Sequence, residues 1–481
     1  MKEGPRYKYK GSVCGKILLR MKLYNSLSKE VEDFKPLTPG EVTLYSCGPT
    51  VYQYAHIGNW RTFVLTDFVY RTLVFNGFDV NYIMNVTDVG HLYDELSDRD
   101  DEDEFERAAE KEGKTAKEIT DFYTKDFLEK YKALNVTEPR KFTKASEYID
   151  PQIDLIATLE EKGYTYQTSD GIYFDTSKFE KYGEMSGLSI ESVKEGARVD
   201  PNPEKKNPTD FALWKFSSSQ GPKRQQEWQS PWGIGFPGWH VECSAMSLSE
   251  LGDTVDIHIG GEDLRMIHHQ NEIAQSECAT GKKFVNYWLH GAFLTVDAGK
   301  MSKSKGNFYT IDDIVKKGFS PIDVRYFYMT AHYRSTLNFT WESLQSAHNS
   351  LKKVYDIVGS YEQNPEAEVS EKYLKRFKDK ISDDLNFPEA LAVMWELLKS
   401  SLPEGIKLNT VLKMDEVLGL DIQEHIGYEI PTEVENLAKM RVEYRKNGIW
   451  DKADVVRKQI AELGYILEDV EEGKYKIKKK L

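Results

Sequence analysis

Two short strings, far apart in the chain, carry side chains suited to nucleotide chemistry. The string HIGN at residues 56–59 opens an apolar, helix-like run, and its glycine lets backbone approach a ligand. At the amino end of a helix, His56 and Asn59 can donate hydrogen bonds to phosphate oxygens. The string KMSKS at residues 300–304 offers two ammonium groups and two hydroxyls, which suit a triphosphate. Together the two strings predict the use of ATP to activate a carboxylic acid.

A second set of residues has the side-chain types of a zinc site. Cys47 ends the strand before the first string, and Cys243 lies in the string GWHVEC. His268 and Glu272 are four residues apart, so they share one face of a helix. Two thiolates, an imidazole and a carboxylate make a plausible tetrahedral zinc set. Because the four span more than 200 residues, spacing alone leaves the alternative open of buried free cysteines beside a His–Glu pair.

The elements that would position these residues follow from hydrophobic patterning. Residues 41–46 form a predicted buried strand, a helix follows over about 59–75, and residues 79–85 form a second strand. This β–α–β order places the HIGN turn at the carboxyl end of the first strand, where doubly wound sheets bind nucleotides. Strand patterns return at 255–259, and long amphipathic helices begin after about residue 340.

The composition limits the class of protein. A chain of 481 residues with 40% hydrophobic content is long enough for about three globular domains. It contains no run of about 18 apolar residues, so we expect no membrane span. Four cysteines are too few for a disulfide framework, which favours the cytoplasm. The net charge of −14 argues weakly against nucleic-acid binding, although a local basic stripe is enough for it.

The motifs occur in the order found in cysteinyl-tRNA synthetases, which are class I aminoacyl-tRNA synthetases. The chain resembles this family from about residue 21 to residue 469. The strings that carry the resemblance are YSCGPTVY (45–52), HIGN (56–59), NVTD (85–88), SPWG (230–233), GWHVEC (238–243), GGEDL (260–264) and KMSKSKGN (300–307).

The resemblance assigns roles to individual residues. One zinc ion per subunit, at the floor of the amino-acid pocket, would be bound by Cys47, Cys243, His268 and Glu272. The same pocket would be lined by Thr87 and Trp239. The catalytic residues would be His56, Asn59, Lys300 and Lys303. The nucleotide would be bound by Gly58, beside the adenine, by Gly261 and Asp263, at the ribose, and by Lys303.

The activity that the resemblance implies is that of a cysteine–tRNA ligase in protein biosynthesis. The carboxylate of L-cysteine would attack the α-phosphate of ATP, taken with Mg²⁺, and pyrophosphate would leave. Cysteine would then pass to the terminal ribose of tRNA(Cys). An apolar pocket distinguishes near-isosteres such as serine and cysteine by only about 1–3 kcal/mol. Zinc prefers a thiolate, so it would select the substrate. We expect a cytoplasmic monomer.

The domain organisation expected on this basis has a Rossmann-like doubly wound parallel sheet at its centre. Two small regions flank the rest: an extension at 1–20 and an anticodon-side α/β region at 426–481. The catalytic domain is predicted in two halves, 21–135 and 231–295, with an inserted connective subdomain at 136–230. The KMSKS loop and stem-contact region would cover 296–345, followed by a helical anticodon-binding domain at 346–425.

Two other functions remain open on the sequence. One is a ligase that joins cysteine to an amino sugar, as mycothiol-pathway ligases do; residues 345–481 argue against it because such ligases lack a full anticodon-binding region. The other is a non-catalytic zinc- and tRNA-binding paralogue, which intact nucleotide strings disfavour.

The chain also departs from the family pattern. Asn59 stands where many relatives have His, and the usual tryptophan near the C-terminus is absent. Residues 474–477 (KYKI) replace it, so the manner of anticodon reading stays open. No role follows for His91, and Cys14 and Cys278 are expected to be free thiols.

Overall fold

The computed structural model describes residues 21–90, 104–187, 203–217, 224–299, 307–427, 430–471 and 474–479. The predicted extension at 1–20, His91, and Lys300 and Lys303 of the second string lie outside these ranges. No helix in the described ranges is both long and apolar enough to cross a bilayer.

The described strands form five sheets. In chain order they are β1 (Lys22–Asn25), β2 (Glu30–Asp33), β3 (Glu41–Ser46), β4 (Asp79–Val86), β5 (Lys141–Lys144), β6 (Thr165–Thr168), β7 (Gly171–Phe174), β8 (Phe211–Phe216), β9 (Trp228–Ser230), β10 (Gly233–Pro237), β11 (Val255–Gly261), β12 (Val285–Gly291), β13 (Leu294–Val296), β14 (Leu337–Phe339), β15 (Tyr465–Glu471) and β16 (Lys474–Lys479).

The α-helices lie mainly between the strands of the central sheet and in the last third of the chain. They are α1 (Ile57–Phe75), α2 (Glu104–Glu112), α3 (Ala116–Ala133), α4 (Ile149–Glu161), α5 (Trp239–Leu251), α6 (Glu262–Arg265), α7 (His268–Thr280), α8 (Ile311–Lys316), α9 (Pro321–Met329), α10 (Trp341–Val358), α11 (Glu371–Ile381), α12 (Phe387–Lys399), α13 (Glu404–Leu418), α14 (Thr432–Lys446) and α15 (Trp450–Glu462).

The central sheet is parallel throughout, with the order β12-β11-β3-β4-β5. Strand β3 pairs with β4 on one side, where Ser46 lies opposite Met84, and with β11 on the other, where Ser46 lies opposite Ile259. The strand order therefore reverses at β3, and a crevice opens at the carboxyl ends of β3 and β11. The predicted Rossmann-like doubly wound sheet is confirmed.

Helix α1 follows β3 and crosses to β4, as the sequence predicts. Its side chains are buried around most of its circumference, which places the helix inside the fold rather than on its surface. Trp60 stacks on Phe127 of α3 with ring centroids 5.1 Å apart, whereas Phe68 stacks on Phe387 of α12 at 4.2 Å. The helix that starts at the HIGN turn is thus fixed by the first half of the chain and by the helical region.

The region between the two halves of the central sheet folds as an antiparallel sheet of order β6-β7-β8-β10-β9. Strand β5 lies inside the range 136–230 predicted for the insertion, yet it is the edge strand of the central sheet. The boundary predicted at residue 230 falls between β9 and β10 of the antiparallel sheet. The domain boundaries themselves stay a prediction.

The last third of the chain is helical, as expected. Helix α12 begins at an N-cap: Asn386 accepts a hydrogen bond from the Glu389 amide at 3.3 Å, and Pro388 lies in the first turn. Helices α14 and α15 are separated near residue 448, where Gly448 has a positive φ. The antiparallel hairpin of β15 and β16 follows, within the region expected to be α/β.

Candidate active site

Three elements of the catalytic half carry the four predicted zinc ligands. Cys47 follows β3, and its amide donates to the Ile259 carbonyl of β11 at 3.0 Å. Cys243 lies in the second turn of α5, and His268 and Glu272 occupy the first and second turns of α7. The sheet crevice therefore receives one ligand from a strand end and three from two neighbouring helices.

The backbone next to Cys47 approaches the adjacent strand very closely. A Cβ atom on Gly48 would lie 1.7 Å from the Asn85 carbonyl oxygen, so no other residue fits there without a shift. The Gly48 amide donates to the Asn85 side-chain oxygen at 2.8 Å. These contacts fix the position of Cys47 relative to β4.

The structure brings the four ligands together. One ligating atom from each of Cys47, Cys243, His268 and Glu272 lies within 4.8 Å of the others, and all four side chains are buried. Tetrahedral zinc with bonds of about 2.0–2.3 Å places its ligand atoms about 3.3–3.8 Å apart. Two sulfurs, one imidazole nitrogen and one carboxylate at this spacing fit zinc by donor type and by reach.

The electrostatics of the cluster also favour a cation. Burial alone would raise the pKa of Glu272, but His258 and His268 lower it to about 2. The hydrogen bond from Cys47 lowers the pKa of Cys243 to about 7, whereas burial raises the pKa of Cys47. Burial would lower the pKa of His268, but Glu272 and Cys243 raise it to about 10. A carboxylate and a thiolate so deep in the protein need a positive partner, which is either protonated His268 or a bound metal ion.

A ring of further histidines surrounds the four ligands. His258 Nε2 lies 3.0 Å from Glu272 Oε2, and His269 Nε2 lies 3.3 Å from Cys47 Sγ. His240 Nδ1 lies 3.0 Å from His268 Nδ1, which leaves His268 Nε2 facing Glu272 Oε1 at 3.0 Å. Such outer contacts orient metal ligands and set the tautomer of a ligating imidazole.

Two of these histidines were not singled out from the sequence. His258 and His269 form a second, overlapping group with Cys47 and Glu272 whose ligating atoms also lie within 4.8 Å of one another. The sequence gives only a weak indication of their role: His258 interrupts an apolar strand, and His269 directly follows the predicted ligand His268. Gly260 leaves room for the His269 ring, because a Cβ there would lie 2.4 Å from His269 Cε1.

Of the two residues predicted to line the amino-acid pocket, Trp239 contacts this cluster and Thr87 lies beside the segment that follows Cys47. The half-buried Trp239 ring is 4.5 Å from the His268 ring, measured between centroids. Thr87 is buried just beyond β4, and its carbonyl accepts from the Val51 amide at 3.0 Å. Thr87 thus belongs to the backbone layer that runs alongside residues 47–51.

The HIGN turn forms the amino end of α1. His56 is the N-cap: its Nδ1 accepts from the amides of Gly58 and Asn59 at 3.0 and 3.1 Å, and Asn59 Oδ1 accepts from the His56 amide at 3.1 Å. A neutral His56 whose Nδ1 accepts two hydrogen bonds carries its proton on Nε2. The half-exposed ring therefore keeps a donor, and Asn59 keeps its side-chain NH₂ group.

The chain after the second string returns to the HIGN turn. His56 forms a β-bridge with Thr310, and the Ile57 amide donates to the Tyr309 carbonyl at 2.9 Å. Lys300 and Lys303 lie outside the described residues, but the segment that follows them is adjacent to His56. The HIGN turn and the described chain that follows the second string therefore share one side of the crevice.

The predicted ribose pair lies at the carboxyl end of β11. Gly261 precedes α6, and a Cβ atom there would lie 2.2 Å from Asp263 Oδ1 and 3.6 Å from Thr62 Oγ1 of α1. The absence of a side chain at Gly261 thus makes room for the exposed Asp263 carboxylate beside α1. The nucleotide roles of Gly58, Gly261 and Asp263 stay predictions.

Comparisons with known proteins agree with this geometry. The model of the class I (C) tRNA synthetase catalytic domain matches residues 33–349. Cysteine–tRNA ligase 1 of Burkholderia lata is 44% identical over 94% of this chain and 95% of its own. The cysteine–tRNA ligase of Treponema denticola is 41% identical over 94% of this chain and 98% of its own.

Solved structures with the same fold are more distant in sequence. Methionyl-tRNA synthetase of Mycobacterium tuberculosis, in complex with methionyl-adenylate, has a TM-score of 0.53 at 14% identity, covering 79% of this chain and 90% of its own. LeuRS of Agrobacterium radiobacter, in a ternary complex with tRNA and LeuAMS, has a TM-score of 0.57 at 11% identity, with 82% and 85% covered. These structures share the fold of the chain, and the family match and the full-length relatives place it in the cysteine–tRNA ligase family of class I aminoacyl-tRNA synthetases.

Proposed function

We propose that this chain is a cytoplasmic, monomeric cysteine–tRNA ligase that uses ATP and one zinc ion per subunit. The observation that carries the proposal is the buried convergence of Cys47, Cys243, His268 and Glu272 in the crevice that the HIGN turn borders. The family supplies the reaction, and these four side chains supply the reason for choosing cysteine.

In the first step the cysteine carboxylate attacks the α-phosphorus of ATP, and pyrophosphate leaves with Mg²⁺. His56 donates from Nε2 and Asn59 from its side-chain amide to phosphate oxygens, at the positive end of the α1 dipole. Lys300 and Lys303 neutralise the charge that develops on pyrophosphate. Gly58 admits the adenine, and Asp263 accepts from ribose hydroxyls beside Gly261.

The four ligands hold zinc at the floor of the amino-acid pocket. When bound, zinc supplies a soft Lewis-acidic position that prefers a thiolate sulfur to a hydroxyl oxygen. Trp239 packs against His268 and closes one side of the pocket, and Thr87 borders the other. Serine is rejected at binding because zinc binds its hydroxyl poorly. An apolar pocket without zinc would distinguish serine from cysteine by only about 1–3 kcal/mol.

In the second step a hydroxyl of the terminal ribose of tRNA(Cys) attacks the carbonyl carbon of the adenylate, the acyl–phosphate bond breaks, and AMP leaves. The C-terminal region provides an exposed aromatic surface far along the chain from the crevice: Trp450 is 59% exposed, and the Arg445 guanidinium lies 5.5 Å from its ring centroid. Aromatic rings beside arginines bind unpaired bases by stacking. The curated ligases match this chain over 94% of its length, which favours a tRNA acceptor over an amino sugar.

Cysteine-dependent exchange of pyrophosphate into ATP tests the first step, and charging of tRNA(Cys) tests the second. We expect both, with serine supporting little exchange and about one zinc per chain by elemental analysis. Exchange without charging of tRNA(Cys) would support an amino-sugar acceptor. Zinc and tRNA binding without exchange would support the non-catalytic paralogue.

A further inference from the structure

Three consecutive residues of the inserted region bind two separate parts of the catalytic half. We call residues 224–226 the strap. Arg224 donates from Nη2 to the Gly90 carbonyl at 3.1 Å, and its guanidinium lies 3.6 Å from the Phe236 ring centroid. The Gln225 side-chain oxygen accepts from the Ala116 amide at 2.9 Å, at the start of α3. The strap thus joins the antiparallel sheet to the segment after β4 and to α3.

Gln226 makes the most specific contact of the strap. Its side-chain Nε2 donates to the Asp88 carbonyl at 2.7 Å, and its Oε1 accepts from the Gly90 amide at 3.1 Å. The carbonyl of one residue and the amide two residues later point to the same side of an extended chain. A primary amide offers one donor and one acceptor side by side, so Gln226 occupies the place of a neighbouring strand.

The segment that Gln226 holds is part of the pocket layer. Val89, between the two gripped peptide groups, is fully buried in the apolar cluster that also contains Cys47 and Cys243. Thr87, the predicted pocket residue, precedes Asp88. The Asp88 carboxylate is anchored from another side, by the Ser146 amide at 2.9 Å and the Ser146 hydroxyl at 2.6 Å.

We propose that Gln226 is a positioning residue for cysteine binding, supplied to the catalytic half by the inserted region. By holding the peptide groups on both sides of Val89, it fixes the pocket wall formed by Thr87 and Val89 against the zinc-ligand cysteines. The inference rests on the proposed function, because it assigns Thr87 to the amino-acid pocket. The strap contacts neither the HIGN turn nor the ribose pair through the bonds described, so the effect belongs to cysteine and not to ATP.

Gln226→Glu is the sharpest test, since it keeps the shape and the acceptor but replaces the donor with an oxygen facing the Asp88 carbonyl. In cysteine-dependent pyrophosphate exchange we expect the KM for cysteine to rise about tenfold, as for the loss of one buried hydrogen bond. The kcat should stay within about twofold, because a loss of uniform binding raises KM alone. The KM for ATP and the zinc content should not change.

Two further variants complete the experiment. Gln226→Met removes both hydrogen bonds and should raise the KM for cysteine at least as much as Gln226→Glu. Gln229→Glu makes the same chemical change at an exposed position of β9 and should leave every constant unchanged. Thermal unfolding of each variant verifies that the compared proteins are folded.

The outcomes separate the two proposals. If the unsubstituted chain shows no cysteine-dependent exchange, the proposed function fails. If it does show exchange and Gln226→Glu leaves the KM for cysteine unchanged, the inference about Gln226 fails and the function stands. An equal rise in the KM values for cysteine and ATP would also overturn the inference, because the strap would then only stabilise the fold.

Discussion

Glu272 is the predicted ligand whose carboxylate is supported from outside the set of four on Oε2 only, since no described residue donates a hydrogen bond to Oε1. His258 Nε2 lies 3.0 Å from Oε2, and His268 Nε2 lies 3.0 Å from Oε1. Carboxylate is a harder donor than thiolate, so among the four we expect Glu272 to yield when the substrate thiolate enters. His258 would then retain the displaced carboxylate close to the cluster, which makes the exchange of ligands reversible.

Replacement of a single cysteine tests the cluster. Cys243→Ala removes one of four zinc ligands, so we expect the zinc content to fall well below one per chain. The kcat/KM for cysteine in pyrophosphate exchange should fall at least 100-fold, since loss of an outer contact alone typically costs 10–100-fold in metal affinity or activity. Elemental analysis and exchange kinetics measure the two effects.

Cys278→Ala is the matched control for that substitution. Cys278 is also a buried free cysteine, but it packs in a different apolar cluster from Cys47 and Cys243. Its loss should leave zinc content and cysteine specificity unchanged. If Cys243→Ala kept full zinc and full preference for cysteine over serine, the four-ligand site would be excluded.

The sequence supplied the four ligands only through the family resemblance. Spacing could not do so, because Cys47 and His268 are separated by more than 200 residues and meet only through the pairing of β3 with β11. His258 and His269 could not be recognised from the sequence for a physical reason. The local sequence around a buried histidine is the same whether the imidazole contacts metal ligands or only packs in an apolar core. Only the three-dimensional distances distinguish the two.

At the scale of elements, Arg61 connects three segments around the nucleotide strings. It lies on α1, is 4% exposed, and donates to four backbone carbonyls. The carbonyls of Ala292 and Phe293 lie before β13, and the carbonyls of His332 and Ser335 lie before β14. The distances from the guanidinium nitrogens to these oxygens are 2.7–3.2 Å. Arg61 thereby holds the base of the region from which the KMSKS string extends.

Arg61→Lys should disturb this arrangement without removing the charge. An ammonium group has three donors and lacks the planar fork, so at least one of the four carbonyls loses its partner. We expect the free energy of unfolding to fall by about 1–3 kcal/mol and the KM for ATP to rise several-fold. Urea unfolding and pyrophosphate exchange measure the two effects.

The exposed Arg107 of α2 offers a control of the same chemical type. Arg107→Lys should change neither stability nor KM by a measurable amount. An Arg61→Lys protein with wild-type stability and wild-type KM for ATP would show that the four hydrogen bonds are dispensable.

Elements with strong local patterns were predictable, and long-range pairings were not. Strand β3 and the cap of α12 at Asn386 follow from apolar alternation and from an Asn before a first-turn proline. The pairing of β5 with β4 does not, because β5 is a four-residue strand that follows two helices. Its place in the central sheet depends on tertiary contacts that local periodicity cannot encode.

At the scale of the whole molecule, a buried ion pair joins the catalytic half to the helical region. Arg325 of α9 and Asp67 of α1 are both fully buried and bonded to each other. Arg325 also donates to the Asn135 carbonyl at 2.9 Å, after α3, and to the Leu418 carbonyl at 2.7 Å, at the end of α13. One guanidinium therefore connects four helices from opposite ends of the chain.

Asp67→Asn should destabilise the protein in a pH-dependent way. Removing one partner of a buried pair typically lowers the free energy of unfolding by about 3–5 kcal/mol. Burial alone would raise the pKa of Asp67, but Arg71, Arg325 and the Thr137 amide hold it below the ordinary value of 3.8. Because the pKa of Asp67 is lower in the folded protein than in the unfolded chain, its carboxylate stabilises the fold fully above the unfolded-state pKa. This stabilisation is lost as the pH falls through the folded-state pKa.

Urea unfolding at several pH values measures the difference between the two proteins. The difference in the free energy of unfolding between the unsubstituted protein and Asp67→Asn should be constant from about pH 5 to pH 8 and should decrease below about pH 4. Asp121→Asn is the control, because it breaks an exposed pair: the Asp121 side chain is 52% exposed and that of Lys117 is 81% exposed. It should change the free energy of unfolding by at most about 1 kcal/mol. An equal effect of both substitutions would contradict the central role of the buried pair.

The C-terminal surface gives a prediction that separates the two steps of the reaction. Trp450 is exposed on α15 with Arg445 of α14 beside its ring. Arg441 and Arg445 both bind Asp469 of β15, which ties α14 to the hairpin. If Trp450 stacks on an unpaired base of tRNA(Cys), Trp450→Ala should raise the KM for tRNA about tenfold, within the range known for base–aromatic stacking. Pyrophosphate exchange without tRNA should keep its rate, because the crevice is built from other elements.

Trp450→Phe retains a ring face and should restore most of the charging. If Trp450→Ala instead lowered exchange and charging equally, Trp450 would act on the fold and not on tRNA.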